Sequence, residues 1–172
     1  MQLDDELEMM PQECVDAVDT LMREAFDSDF EAGLIKSLRS KGALIAEHIL
    51  PVSEDDDDIL AYIGYSEVEV EKGDADILGL GPMAVTTNAQ GNGIGLDFLL
   101  FSIEAMREDG VDAIVLLGHT DFYSKAGFRP AVDYGLKFGD DPAYQAAFMV
   151  KELRAGALAN CSGIITYAPD FY

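Results

Sequence analysis

Lysine and arginine are scarce in this chain: 11, against 33 aspartates and glutamates, for a formal net charge of −22. Nucleic acid is excluded as the main partner, because counterion release needs clustered basic side chains and these are scattered. Long apolar runs are also missing. None approaches the roughly 20 residues of a membrane span, so no membrane partner is expected. The opening MQLDDELEMM is acidic and has no basic n-region, so it does not read as a secretory signal. Cysteine is limited to Cys14 and Cys161, far apart in sequence. Buried, reduced thiols are expected rather than a structural disulfide. There is no internal repeat and no low-complexity linker. A soluble, cytoplasmic protein is the expectation.

What is present fits one domain over residues 1–172. With 49% hydrophobic residues, a chain of this length can bury roughly 70% of its unfolded surface. The acidic excess has two readings: a field that attracts cationic substrates, or a solvated acidic surface. The run SEDDDD, Ser53–Asp58, lacks the alternating aspartates, glycine and distal glutamate of a calcium loop. It reads as an exposed turn, and no metal is expected.

Periodicity orders the elements. ELEMM, Glu6–Met10, alternates weakly, as an edge strand would. A helix follows Pro11 over about 12–26, with Val15, Val18, Leu21, Met22 and Phe26 on one face. A second helix, FEAGLIKSLRSKG, closes at Gly42. ALIAEHILPV and ILAYIGYSEVEV read as strands of a meander around the acidic turn. ADILGLGPMAVT is a further strand, and Gly79, Gly81 and Pro82 within it predict a bulge or a close backbone approach. The next helix runs from about Gly93 to Asp109, with Ile94, Phe98, Phe101 and Ala105 as its core-facing stripe. AIVLL, Ala113–Leu117, is the continuous apolar run of a strand covered on both faces. Strand, helix and strand make a right-handed βαβ unit. A short helix near Asp121–Ala126 follows, then strands around Phe128–Lys137 and Ala147–Leu153 as a terminal pair. The fold class is mixed α/β, or α+β, rather than a doubly wound sheet.

The segment AVTTNAQGNGIGLDFLLFSIEAM, residues 84–106, carries the chemistry. Gly91, Gly93 and Gly95 lie between a strand and a helix start. Such a start presents unpaired N–H groups and the positive end of the helix dipole. Without Cβ atoms an anion can approach that backbone, as at phosphate sites. A tight turn with packing reasons alone is the other reading. The loop lacks the lysine of a Walker A motif. Its third glycine comes one residue too early for a dinucleotide fingerprint.

Gln90-Gly91-Asn92-Gly93-Ile94-Gly95 does fit Gln-x-x-Gly-x-Gly. It resembles the acyl-CoA pyrophosphate loop of the GNAT superfamily of N-acetyltransferases. Downstream, Tyr123-Ser124-Lys125-Ala126-Gly127-Phe128 resembles that superfamily's Tyr-x-x-x-Gly-Phe segment. FEAGLIKSLRSKGAL, GLGPMAVTTNAQGNGIG, VLLGHTDFYSKAGFRPA, AFMVKEL and GALANCSGIITYAPDF resemble, in order, pieces of its YhbS-like branch. The resemblance implies a twisted, mixed, mostly antiparallel sheet with helices on both faces. One central parallel pair, the strands at 76–86 and 112–117, would splay around acyl-CoA. There are departures: Ala61-Tyr62 where the family often has Gly-His, Ser66-Glu67-Val68 where it often has Ser-Pro-Val, and Asn92 where a basic residue is usual. The last leaves more of the phosphate binding to backbone amides.

Acyl transfer to an amine needs a neutral nucleophile, and an ammonium with pKa near ~10.4 is almost wholly protonated at pH 7. The site therefore needs a base, a water relay or a dry pocket, and a donor for the thioester oxygen. The resemblance implies acetyl-CoA as cosubstrate, bound by Met83, Ala84, Val85, Gln90, Gly91, Asn92, Gly93, Ile94, Gly95, Tyr123 and Lys125. It implies the Val85 N–H as oxyanion donor and Tyr123 as general acid, though Tyr123 also reads as a packing aromatic. Glu31 is the candidate base, with Glu67, His48 and His119 behind it. Arg129 is a further candidate for cofactor phosphates. Met83 and Met106 read as core side chains. The activity so implied is N-acetyl transfer to a small-molecule or peptide amine by direct attack in a ternary complex. The alternative is an acyl-CoA-binding sensor or scaffold of the same fold. A homodimer is compatible with either.

Overall fold

The computed structural model describes residues 11–172; the strand expected over Glu6–Met10 lies outside them. Helix α1, Gln12–Phe26, buries Val18, Leu21 and Met22. Helix α2, Phe30–Ser40, buries Ala32, Leu34, Ile35 and Leu38. Strands β1, Leu44–Pro51, and β2, Ile59–Lys72, pair antiparallel around the exposed acidic turn. Strand β3, Ile77–Val85, then leads to α3, Ile94–Glu108, and β4, Ala113–Leu117. Beyond α4, Thr120–Tyr123, the chain forms β5, Arg129–Pro130, and β6, Leu136–Phe138. It ends with α5, Pro142–Gln145, β7, Phe148–Glu152, β8, Ser162–Tyr167, and a 3₁₀ turn at Pro169–Phe171. Among the described residues no helix is long and apolar enough to cross a membrane.

The strands form one sheet in the order β5-β7-β4-β3-β2-β8-β6, and β1 takes the near half of β2's free edge. Past the end of β1, β8 pairs with Val68–Lys72 on that same edge. Switching partners along one long strand curls the sheet into a half-barrel. The faces alternate as the pleat requires. Ala61, Ile63 and Tyr65 pack against α3, whereas Tyr62 and Ala84 pack against α1 and α2. β3 and β4 are parallel, as the βαβ reading requires. A second parallel pair, β6 with β8, closes the far end.

Three expectations are corrected. The segment 128–137 is not one strand. β5 pairs with β7 through two residues only, a 3₁₀ turn follows, and β6 departs to β8. β8 is a strand that sequence patterning missed. On α3, Phe98, Leu99, Ser102, Ile103 and Met106 are buried, while Phe101 is 74% exposed. This helix is apolar around much of its circumference, so periodicity alone admitted two stripes. The buried serine decides between them: Ser102 Oγ lies 2.7 Å from both the Tyr65 hydroxyl and His48 Nδ1. Cys161 is buried and Cys14 only partly, both as free thiols.

Candidate active site

The parallel pairing of β3 and β4 runs from Ile77/Ala113 to Gly79/Val115 and stops there. Leu80–Val85 then continue beside β2 alone, so a gap opens between the two strands. Glycine is required at its apex, because a Cβ on Gly79 would collide with the Tyr167 ring. The β2–β3 register shifts between Ile63/Met83 and Tyr65/Leu80, the bulge foreseen from Gly81 and Pro82. Beyond it the Thr86 N–H donates to the Leu60 carbonyl at 2.8 Å. Hydrogen-bonding alternates along an antiparallel strand. Ala84 is therefore also turned toward β2, and the N–H groups of Met83 and Val85 face the gap.

The glycine loop stands at the mouth of this gap. Gly91 and Gly93 have φ of +81° and +86°, which L side chains rarely adopt, and a Cβ at either would meet nothing within 4 Å. Gly95 differs: its Cβ would come within 3.2 Å of Val85 Cγ2. Gly95 therefore serves close packing of α3 on β3, while the space over Gly91 and Gly93 stays open. Among the described residues the N–H groups of Gly91, Asn92 and Gly93 have no partner. The next amides belong to the helix start and have no intrahelical acceptor. Gln90 anchors the loop, its Nε2 donating to the Val85 carbonyl at 3.0 Å. Asn92 Oδ1 accepts from the Ile94 N–H at 3.3 Å. Consecutive unpaired amides with open space above the glycines fit an anion such as a pyrophosphate.

On the inner side of the gap lies a cavity of about 330 Å³, lined among others by Leu80–Met83 of β3, Leu117–His119 and Tyr123. Tyr123 sits edge-on to Phe122 and Phe128, with ring centroids 5.0 and 5.8 Å away. Its hydroxyl lies 3.8 Å from Met83 Sδ. A side chain on Gly118 would collide with the ring, so that glycine lets the phenol lie across the strand end. Burial pushes the Tyr123 pKa up to about 12, which leaves the hydroxyl protonated throughout the neutral range. From the other side the cavity is lined by Phe26, Glu31 and Leu34 of α1–α2, and by Phe138, Tyr167 and Phe171.

The structure thus brings Glu31, His119, Tyr123 and Met83 to one cavity and leaves other candidates elsewhere. Glu67 is exposed and lines a separate groove with Asp76 and Asp109. His48 lies under α3, bonded to Ser102, and burial lowers its pKa. Lys125 and Arg129 are exposed. Met106 is core, as expected, while the Met83 side chain is only partly buried and reaches the cavity. Sequence reasoning missed Tyr167. It lies on the unforeseen strand β8, and its one local signal was an aromatic just before the terminal Ala-Pro.

A curled mixed sheet that parts at a parallel pair, with amides facing the gap and a glycine-opened helix at its mouth, has the architecture of GNAT-type N-acetyltransferases. The chain belongs to the acetyltransferase (GNAT) family, whose model matches residues 15–128. It is 31% identical to the uncharacterized N-acetyltransferase YhbS of Escherichia coli (strain K12), over 90% of each chain. The crystal structure of Escherichia coli YhbS in complex with CoA superposes with a TM-score of 0.87 at 29% identity, covering 95% of this chain and 88% of that one. A GNAT acetyltransferase from Brucella melitensis in complex with acetyl-CoA shares the fold at 23% identity, with a TM-score of 0.74 over 95% of both chains.

Proposed function

We propose that this protein is an acetyl-CoA-dependent N-acyltransferase acting by direct attack in a ternary complex. The observation that carries the reading is the continuity of one path. Unpaired amides at Gly91–Gly93 lead into a gap faced by the Met83 and Val85 N–H groups, and the gap ends at the Tyr123 hydroxyl. CoA complexes of a relative at 29% identity and of the same fold support the cosubstrate.

Acetyl-CoA supplies the acyl group as a thioester; the amine lone pair forms the C–N bond as the C–S bond breaks. The glycine loop and the first amides of α3 hold the pyrophosphate. The Val85 N–H donates to the carbonyl oxygen as charge develops there. Tyr123 donates its hydroxyl hydrogen bond to the departing sulfur. With a pKa of about 12, full transfer to a thiolate near ~8.5 would be uphill. The hydroxyl therefore relays: it gives its proton to sulfur as it recovers one from the attacking nitrogen. Glu31 is the one carboxylate among the described residues that line the cavity, and it takes the extra proton of an incoming ammonium. No serine or cysteine is needed as an intermediate nucleophile.

The test is calorimetric titration of CoA together with thiol release from acetyl-CoA across a panel of primary amines. Micromolar CoA binding and amine-dependent thiol release are expected. Tight acetyl-CoA binding without release for any amine would leave a sensor instead. Absence of CoA binding would reject both.

A further inference from the structure

The proposed transfer needs an acceptor, and two residues in the wall of the cavity beyond Tyr123 carry unexplained buried polar atoms. Glu31 Oε2 and the Tyr167 hydroxyl are both sealed from solvent, and among the described residues neither has a hydrogen-bond partner. Both residues line the cavity that also holds Met83 and Tyr123. Buried polar atoms are rarely left unpaired in folded proteins, and a sealed carboxylate oxygen calls for a cationic donor. The surroundings are aromatic. Phe138, Tyr167 and Phe171 interlock with centroids 5.6 and 5.0 Å apart, and Phe26 lines the α1–α2 side. Aromatic faces also attract cations.

We infer that this chamber is the acceptor subsite and that it selects a small monocationic primary amine on an apolar or aromatic body. Glu31 accepts hydrogen bonds from the ammonium, the Tyr167 hydroxyl offers a further polar contact, and Phe26, Phe138 and Phe171 hold the body. This rests on the acyltransferase reading and adds the substrate class. The same residues decide what is turned away. Among the described residues neither lysine nor arginine lines the chamber, so an α-amino acid would bring a carboxylate with no lysine or arginine to pair with. Among the described residues Glu31 is the sole carboxylate in the lining, so a polyamine would bury a second ammonium without a carboxylate partner. Leaving such a group unpaired is what makes polar sites discriminate strongly. The chamber is also held in shape. Asp170, beside Phe171, accepts from Ser37 Oγ and from Lys41 Nζ, the latter at 2.7 Å. That clamps the turn bearing Phe171 to helix α2, which bears Glu31. The acidic surface adds a field that concentrates cations at the entrance.

The experiment is titration of the CoA-saturated protein with 2-phenylethylamine, 3-phenylpropan-1-ol, spermidine and phenylalanine, beside thiol release from acetyl-CoA. 2-Phenylethylamine should bind at least about tenfold more tightly than each of the others. Glu31→Gln should erase that advantage over the alcohol while leaving CoA affinity unchanged. Tighter binding of spermidine or phenylalanine to the wild type overturns the inference, whether or not the variant folds. So does an amine affinity that Glu31→Gln leaves intact. If 2-phenylethylamine binds with this selectivity but no thiol appears, the subsite stands and the transferase reading falls. If thiol release proceeds best with other amines, the transferase reading stands and the subsite assignment falls.

Discussion

At Tyr123 two roles coincide in one side chain. The ring packs against Phe122 and Phe128, and the hydroxyl faces Met83 with no protein oxygen or nitrogen bonded to it among the described residues. Tyr123→Phe keeps the packing and removes only the oxygen. Acid–base contributions run at roughly 10²–10⁴-fold, and water can replace part of the effect, so a loss of about 10-fold or more in kcat is expected. CoA affinity should change less than about threefold. Steady-state thiol release beside CoA titration checks both, and full activity in the variant would remove Tyr123 from the mechanism. Gly93 makes a different point. Its φ of +86° means that Gly93→Val carries about 1–2 kcal/mol of backbone strain in addition to its effect on the ligand. Gly93→Asn tolerates the left-handed conformation better and separates the two effects. Both variants should weaken CoA by about 2 kcal/mol or more, the scale of lost charge-assisted hydrogen bonds, but only valine should also lower the melting temperature strongly. Unchanged CoA affinity in a folded variant rejects the loop as the phosphate site. Two of the three glycines carry the legible reason, backbone freedom; the third, Gly95, answers to Val85, a neighbour that local sequence does not specify.

Helix α3 shows how an element is placed by its partners. Its start, at Gly93, and its end, near Asp109–Gly110, were readable from residues that govern backbone conformation. Its rotation about its own axis was not, since Leu100 and Phe101 compete in hydrophobicity with Leu99 and Ile103. Ser102 turns inward because Tyr65 and His48 satisfy its hydroxyl. Ser102→Ala strands the buried Tyr65 hydroxyl and should cost about 1–3 kcal/mol by urea denaturation. The same cluster makes stability depend on pH. Burial lowers the His48 pKa in the folded state, so the unfolded chain takes up a proton first. The contribution is complete above the unfolded value near ~6.5 and is lost as pH falls from there through the lowered folded value. Melting temperatures between pH 7.5 and 5 should fall less steeply in His48→Gln than in the wild type. An identical slope would show that other groups set the dependence. Strand β8 was missed for a related reason. Its partner segment on β2 reads Val68-Glu69-Val70-Glu71, a half-buried strand edge whose neighbour could have come from anywhere in the chain.

For the molecule as a whole, −22 charges meet a polyanionic cosubstrate. Long-range repulsion should slow CoA capture at low salt and be relieved as the Debye length shrinks from ~30 Å at 0.01 M to ~8 Å at 0.15 M. Stopped-flow association over that range should therefore quicken or hold steady with salt. A strong loss of affinity would mean that local cations such as Lys125 and Arg129 dominate. The short helix α5 was not foreseen. Sequence alone determined the bounds of helices α1, α2 and α3 to within about two residues, the meander, the βαβ unit and the glycine loop, together with the family resemblance they carry. These are written in short windows, where periodicity, φ preference and missing Cβ atoms act on nearest neighbours. Tertiary structure alone decided which candidates share a cavity. Glu31 and Tyr167 come from opposite ends of the chain, and they converge because β2 exchanges β1 for β8 along one edge and the sheet curls. Glu67 and His48 were as plausible by residue type, but the pleat and the packing of α3 turn them elsewhere. Convergence of that kind depends on register and twist summed over many strands, and no local window of sequence contains it.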